Sequence, residues 1–408
     1  MSGESFRFIH ASDFHLETPL GEMDVLPPHL RDTLALAPRR AATAVFEAAL
    51  VENIDFLVLS GDLLNPASAG PFGISLLLQY FDALSEMDTP VFWAAGSADD
   101  PQKWPEAAPL PDNVTLFPKG RVSSVPMVRS GQTICNVVGR SSDGRSQLHI
   151  PSFRIDPTDH FTIGVGYGEA TPEALSEARF DYWALGGRHQ RCHLEGGGTA
   201  GAGYSGSPQA RRHEEAGPHG YTIVDIDSDQ NARIHDVDCD AVRYETIKLS
   251  GAEIAAADDI RQLMANRIAR LRHDNGNRAL LLRWEISAGD AESISAVGDP
   301  EDLLQWLRRD FGHANPAAWT TEIHVQSPNR YPQSWTDEDT ILGDYLRTAK
   351  QARTNEGREL QLAPFTEEHH GLPESMAALL CDSNSSGTSK RMGDATLLGV
   401  DLLRGGKL

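Results

Sequence analysis

Three short apolar runs, each ending in a glycine or an acid, constrain this chain more than any other feature. The first holds Phe6, Phe8 and Ile9 and leads into Asp13-Phe14-His15. The second, Ile54 to Leu59, is apolar except for Asp55 and runs straight into Gly61-Asp62. The third, Val91 to Ala95, runs into Gly96-Ser97-Ala98-Asp99-Asp100. Runs of this kind suit strands buried on both faces. Between them lie two stretches of helical period. Pro38 to Asn53 sets Val45, Phe46, Ala49 and Leu50 on one face, and Ile74 to Met87 is a second amphipathic helix. The alternation predicts an α/β layered domain. Functional groups gather at the carboxyl ends of strands in such sheets, where Asp13, His15, Asp62 and the Gly96 loop all fall. Residues i and i+2 of an extended chain point to one side, so Asp13 and His15 can hold one ion. A carboxylate beside an imidazole suits Mn, Fe or Zn better than Mg or Ca.

Further on, Thr133 to Val138, Phe161 to Val165, Tyr182 to Leu185 and Tyr221 to Asp227 read as strands, the last closing the domain. Pro172 to Ala178 is a short helix, and Gly196 to Gly203 a glycine-rich loop. After about residue 241 the pattern becomes strand (Tyr244–Leu249), helix (Asp259–Arg272), strand (Leu280–Ile286), helix (capped by Asp299 with Pro300 first, to about Asp310) and strand (Trp319–Gln326). The expected division is 1–240, a small α/β domain over 241–330, and a partly helical tail over 331–408 that can dock on a partner. In the tail, Asp337 to Ala352 and Asp394 to Leu403 carry helical pattern, and Asp382 to Ser389 is a polar loop.

The chain has 408 residues, 40% hydrophobic and 23% charged, as expected of a soluble globular protein. No run approaches the ~20 apolar residues of a membrane span, and no secretory signal is read at the N-terminus. Four scattered cysteines, Cys135, Cys192, Cys239 and Cys381, read as reduced thiols in a cytoplasmic protein. The net charge of −22 disfavours nonspecific attraction to DNA. A local basic patch drawn from Arg39, Arg40, Arg140, Arg145, Arg188, Arg191, Arg211 and Arg212 is compatible with that charge.

The ordered set Asp13-Phe14-His15, Gly61-Asp62-Leu63, Gly96-Ser97-Ala98-Asp99 and Ala184-Leu185-Gly186-Gly187-Arg188-His189 resembles the calcineurin-like phosphoesterase signature of D-x-H, G-D, G-N-H-D, a lone His and G-H-x-H. The flanks His10-Ala11-Ser12 and Asp181-Tyr182-Trp183 look like the SbcD/YhaO-type DNA-repair exonucleases. So do Tyr204-Ser205-Gly206-Ser207-Pro208-Gln209 and Glu215-Ala216-Gly217-Pro218-His219-Gly220, where a Lys more often stands at His219. The resemblance spans residues 6 to about 330. It implies a four-layer β-sandwich metallophosphoesterase fold flanked by helices, with a small α/β capping domain.

The resemblance also implies two ions sharing Asp62. The first would take Asp13, His15, Asp62 and His189, all present. The private ligands of the second are replaced by Ser97, Tyr167 and Gly187, and the catalytic His by Ala98. The losses sort by site. Paired ions clamp both the attacking and the leaving oxygen, and a general acid is worth roughly 10²–10⁴-fold, so weak or absent hydrolysis is expected. One divalent ion, Mn by the resemblance, is the expected cofactor. Asp99, Asp100 and His193 are candidates to rebuild a ligand set, although Asp99 suits orienting its own loop. Arg188 is the candidate phosphate contact.

Three readings remain open. The first is a phosphodiesterase acting on DNA beside an SMC-like ATPase of the SbcC/YhaN type. The second is a non-catalytic nucleic-acid-binding or scaffold subunit, and the third a phosphoesterase for a small molecule. Homodimerisation is also left open.

Overall fold

The computed structural model describes residues 3–21, 27–154, 158–257, 259–287, 296–326 and 333–354, with Thr396, Gly399, Val400 and Leu403. The chain divides into two compact units. One comprises Met1–Thr246, Asn275–Leu282 and His313–Thr321, and the other Ile247–Asp274, Arg283–Gly312 and Glu322–Leu408.

The first unit is built on two six-stranded sheets. One contains β1 (Phe6–Ala11), β2 (Phe56–Leu59), β3 (Val91–Trp93), β4 (Val114–Leu116), β11 (Gly220–Ile226) and β12 (Ala232–Asp238), in the order β12-β11-β1-β2-β3-β4. The other contains β5 (Ser123–Arg129), β6 (Gln132–Gly139), β7 (Phe161–Tyr167), β8 (Tyr182–Gly186), β9 (Cys192–Leu194) and β10 (Gly201–Tyr204), in the order β5-β6-β7-β8-β10-β9. The β1-β2-β3-β4 and β6-β7-β8-β10 runs are parallel, and the β1-β11, β11-β12, β5-β6 and β10-β9 pairs are antiparallel.

Period-two burial explains the layering. In β1 and β2, Phe6, Phe8, Phe56 and Val58 join Ile163, Val165 and Tyr182 of the opposite sheet in one core. Their neighbours Ile9, Ala11, Leu57 and Leu59 face the helices α1 (Arg31–Val51) and α2 (Gly70–Glu86), meeting Val45, Phe46, Leu77 and Phe81. The outer face of the second sheet packs Trp183, Leu185 and Tyr204 against Leu175 of α3 (Pro172–Glu177). The result is four layers, helix–sheet–sheet–helix, as the resemblance implies. Each fully buried Phe or Leu contributes roughly 1.5–3 kcal/mol, which is why apolar strands ending at one edge can hold a polar rim in place.

Several boundaries differ from the sequence reading. The first helix begins at Arg31 and carries Pro38 inside it rather than at its start. Pro38 is buried and the helix continues through it, because tertiary packing overrides the missing N–H. The last three residues of the expected glycine-rich loop are strand: Gly201–Tyr204 pairs in parallel with β8, and glycine there masks the pattern. The strand Gly220–Ile226 does not close the unit, since the half-exposed β12 pairs with it antiparallel.

A three-stranded sheet has the order β13 (Val242–Ser250), β14 (Ala279–Ser287) and β15 (Ala318–Gln326). The intervening helices include Ile260–Asn275 and Pro300–Phe311, the latter capped by the Asp299 carboxylate as its sequence predicts. The expected tail helix falls as Gln333–Thr336 and Ile341–Thr354. The expected loop Asp382–Ser389, Cys381 and most of Asp394–Leu403 lie outside the described residues. Among the described residues, no helix is long and apolar enough to cross a membrane.

Candidate metal centre

The predicted site residues meet at the carboxyl edges of both sheets. Asp13 and His15 follow β1, Asp62 follows β2, and Tyr167, Gly187 and His189 come from the ends of β7 and β8. The first two loops are zipped together: the Asp13 N–H donates to Gly61 O at 2.8 Å and the His15 N–H to Asp62 O at 2.9 Å. Asp13, His15 and Asp62 all adopt left-handed backbone, with φ of 56°, 42° and 53°. This corrects the extended-strand argument. The two side chains converge through a left-handed turn beyond the strand, not through strand alternation. Such a conformation costs a non-glycine residue of order 1–3 kcal/mol and persists where its surroundings hold it.

Asp13, His15 and His189 form one cluster, each offering a ligand atom within 4.8 Å of the others. The two imidazoles face each other through Nε2 at 3.2 Å. On the other side of His189, Nδ1 lies 2.8 Å from Glu215 Oε1, so a neutral His189 that donates from Nδ1 leaves its Nε2 lone pair toward His15. Asp62 Oδ2 stands 3.7 Å from His15 Nε2, beside the trio. Burial raises the Asp13 carboxyl to about 7, offset in part by the Ser12 hydroxyl and the Gly187 N–H, and Asp62 adds to the rise. Burial and the nearby Arg211 charge lower His15 to about 4. His189 is raised, chiefly by its Glu215 bond. Buried carboxylates short of positive charge, with imidazole nitrogens among them, are the donor set a transition-type divalent ion fits.

The neighbouring half is different. The Tyr167 hydroxyl donates to Asp62 Oδ2 at 2.6 Å, and Ser97 Oγ donates to the same oxygen at 3.0 Å. The Ala98 N–H donates to Asp62 Oδ1 at 2.7 Å. The Tyr167 ring lies against Gly61 and Gly96, where a methyl on either glycine would overlap it. Burial and the adjacent Asp62 charge raise the Tyr167 phenol well above its ordinary value. Tyr167 is therefore a neutral proton donor on this carboxylate.

The proposed substitutes are committed elsewhere. Asp99 is buried and accepts from the Asp62, Leu63 and Gly96 N–H groups and from Trp93 Nε1, so it orients the loop as expected. Asp100 pairs with Lys119 at 2.7 Å, and His193 with Asp236 at 2.8 Å. Arg188 pairs with Glu169 and stacks on Tyr204 at 4.7 Å. Of the other candidate arginines, Arg140, Arg145, Arg191 and Arg212 each face a carboxylate. Arg211 is buried against main-chain carbonyls.

Sequence reading assigned no role to Glu215 or Arg211 at the site. Glu215 was visible only as part of a closing motif, and Arg211 only as one basic residue among eight. Ser12, whose hydroxyl donates to Asp13 Oδ2 at 2.6 Å, carries no sequence signal of its own. His219, at the position where lysine is commoner, is buried and bonds Ser207 and the Glu215 carbonyl.

Residues 6–171 match the calcineurin-like phosphoesterase family. That match covers the strands and loops that carry Asp13, His15, Asp62 and Tyr167. The chain is also similar to a Bacillus subtilis (strain 168) protein named "Uncharacterized metallophosphoesterase YhaO", with 24% identity over 360 residues, 82% of this chain and 85% of that protein. Divalent-metal use and phosphoester hydrolysis are the properties that go with such a domain. The cluster of Asp13, His15 and His189 offers ligand atoms for such an ion.

Proposed function

We propose that this protein is a DNA-directed metallophosphoesterase subunit that holds one divalent ion, Mn by resemblance, and hydrolyses phosphodiesters weakly or not at all. Asp13, His15 and His189 would hold the ion with Asp62 beside them. Bound there, it would supply positive charge to a phosphate. The observation that carries the reading is the Tyr167 hydroxyl on Asp62 at 2.6 Å, which satisfies with a proton the carboxylate that a second ion would need. The chain's own residues then bind and orient. The Gly187 N–H fixes Asp13, bonding Oδ2 at 3.0 Å, and Asp99 fixes the 62–63 backbone. No side chain at Ala98 supplies a proton to a leaving group.

The SbcD/YhaO-like motifs support DNA as the substrate class and an SMC-like ATPase of the SbcC/YhaN type as the partner, with residues 241–330 as the family's capping domain. A non-catalytic binding or scaffold subunit is the limiting case of the same reading. The carboxylate-paired arginines favour it over efficient DNA turnover, because a paired guanidinium has less charge to offer a phosphate. The test is Mn stoichiometry together with Mn-dependent cleavage of single- and double-stranded DNA, beside an Asp62→Asn control. One ion per chain and turnover no higher than the control are expected. Two ions with turnover well above the control would overturn the reading.

A further inference from the structure

We propose that the short loop from Arg211 to Glu215 is a positioning device that sets both imidazoles of the site at once. This rests on the reading that Asp13, His15 and His189 bind a cation. Glu215 acts on one imidazole. Its Oε1 lies 2.8 Å from His189 Nδ1, and the residue is buried. A carboxylate there accepts a proton from Nδ1, fixes that tautomer and presents the Nε2 lone pair to the site, the usual role of a carboxylate behind a metal-bound histidine. Arg211 acts on the other. Its guanidinium donates to the carbonyls of Phe14, His15 (3.3 Å) and Gln209 (2.9 Å).

The Arg211 contacts fall on the left-handed turn that carries Asp13 and His15. An ordinary loop would relax to extended backbone there. A buried guanidinium bonded to two successive carbonyls of the turn opposes that relaxation. The two actions are joined, because the Arg211 N–H donates to Glu215 Oε2 at 2.8 Å. Arg212 also donates to Glu215, Nε to Oε1 at 3.0 Å, from an exposed position. Five consecutive residues thus couple His15, on a loop of the first sheet, to His189, on a loop of the second. Glu215 and Arg211 act through other residues and touch no reacting atom.

The test compares the full-length protein with Glu215→Ala, Glu215→Gln, Arg211→Met and Arg211→Lys, with His189→Ala as the reference for loss of a ligand. Mn binding is read by calorimetry and by the Mn electron paramagnetic resonance signal. The imidazole tautomers are read separately by ¹⁵N–¹H correlation in metal-free protein. Glu215→Ala and Arg211→Met should each weaken Mn binding about 10–100-fold, the range for lost supporting partners. Arg211→Lys should recover part of the loss. In wild type, His189 should carry its proton on Nδ1, and Glu215→Ala should shift the population toward Nε2–H. Glu215→Gln, whose amide oxygen still accepts from Nδ1–H, should keep the tautomer; should Glu215→Ala fail to fold, Glu215→Leu, which keeps most of the volume and offers no acceptor, gives the same tautomer readout. Unchanged tautomer and unchanged Mn affinity in the Glu215 variant that lacks an acceptor would overturn the proposal. If Mn binds neither wild type nor His189→Ala, the cation reading fails by itself, and the tautomer shift still decides whether Glu215 sets His189.

Discussion

The two halves of the candidate site share Asp62 but are finished in different ways. Around Asp13, the neighbours include the ring nitrogens of His15 and His189, which lie 3.2 Å apart. Around Asp62, Ser97 and Tyr167, the neighbours of the carboxylate are donors, two hydroxyls and a main-chain N–H. Imidazole lone pairs turned toward a carboxylate are stabilised by a cation. Asp13, like Asp62, accepts from a hydroxyl and a main-chain N–H, so the pair of imidazoles is what sets the first half apart. The comparison teaches that neighbouring strand ends of one fold can carry an imidazole–carboxylate cluster and a hydroxyl-bonded carboxylate on the same backbone frame.

The largest effect that sharpens the contrast is on the open half. His189→Ala should lower Mn affinity by more than the roughly 10–100-fold expected when only a supporting partner is lost. Titration calorimetry checks it, and an unchanged affinity would mean that the trio is not where the ion sits. Next comes the packing of the closed half. Gly96→Ala would push a methyl into Asp62 and the Tyr167 ring, so it should destabilise the protein by about 1–3 kcal/mol in urea unfolding. Wild-type stability would show that the ring is not held against this loop.

A third prediction separates the frame from both halves. His10 is buried, bonded to Ser60 Oγ at 2.7 Å, and lowered to about 3 by burial and by His193, against smaller opposing contributions from Leu185 and Asp236. The unfolded chain therefore takes up the proton first. Stability is full above the unfolded value of about 6.5 and falls as pH drops toward 3. Between pH 7 and pH 5 the loss should be on the order of 2 kcal/mol, and His10→Gln should flatten that slope. An equally steep slope in the variant would assign the acid sensitivity to other groups. The smallest effect is expected of Tyr167→Phe. It removes one donor from Asp62 and should cost about 1 kcal/mol, while the Mn stoichiometry stays at one. A second ion in that variant would break the comparison, because the hydroxyl alone would then be what kept it out.

The frame was legible in the sequence because its strands are buried on both faces. Phe8 and Ile9 point to different layers and both must be apolar, so the run stands out. Two other strands were less visible. Ser123–Arg129 alternates with exposed residues and contains Pro126, and Gly201–Tyr204 sits in a glycine-rich stretch. For the site, strand-end position and i, i+2 spacing picked out Asp13, His15 and Asp62, and resemblance to the phosphoesterase motifs picked out His189 with Ser97, Ala98, Tyr167 and Gly187. Neither source gave the left-handed turn at Asp13 and His15. Neither gave the pairing of His189 with Glu215, 26 residues apart, nor that of Arg211 with the Phe14 and His15 carbonyls, 197 and 196 residues apart. Contacts of that reach are products of the folded topology and leave no local periodicity behind.

The ligand triad draws on residues 13, 15 and 189, from the ends of β1 and β8 in different sheets. An ion that binds only when both sheets are in place is thermodynamically linked to folding. The melting temperature should then climb with Mn concentration, with about 2.7 kcal/mol gained at a hundredfold excess over the dissociation constant. In a medium where free Mn rises and falls, the amount of intact protein would follow the ion supply, whether or not a single phosphodiester is ever cut.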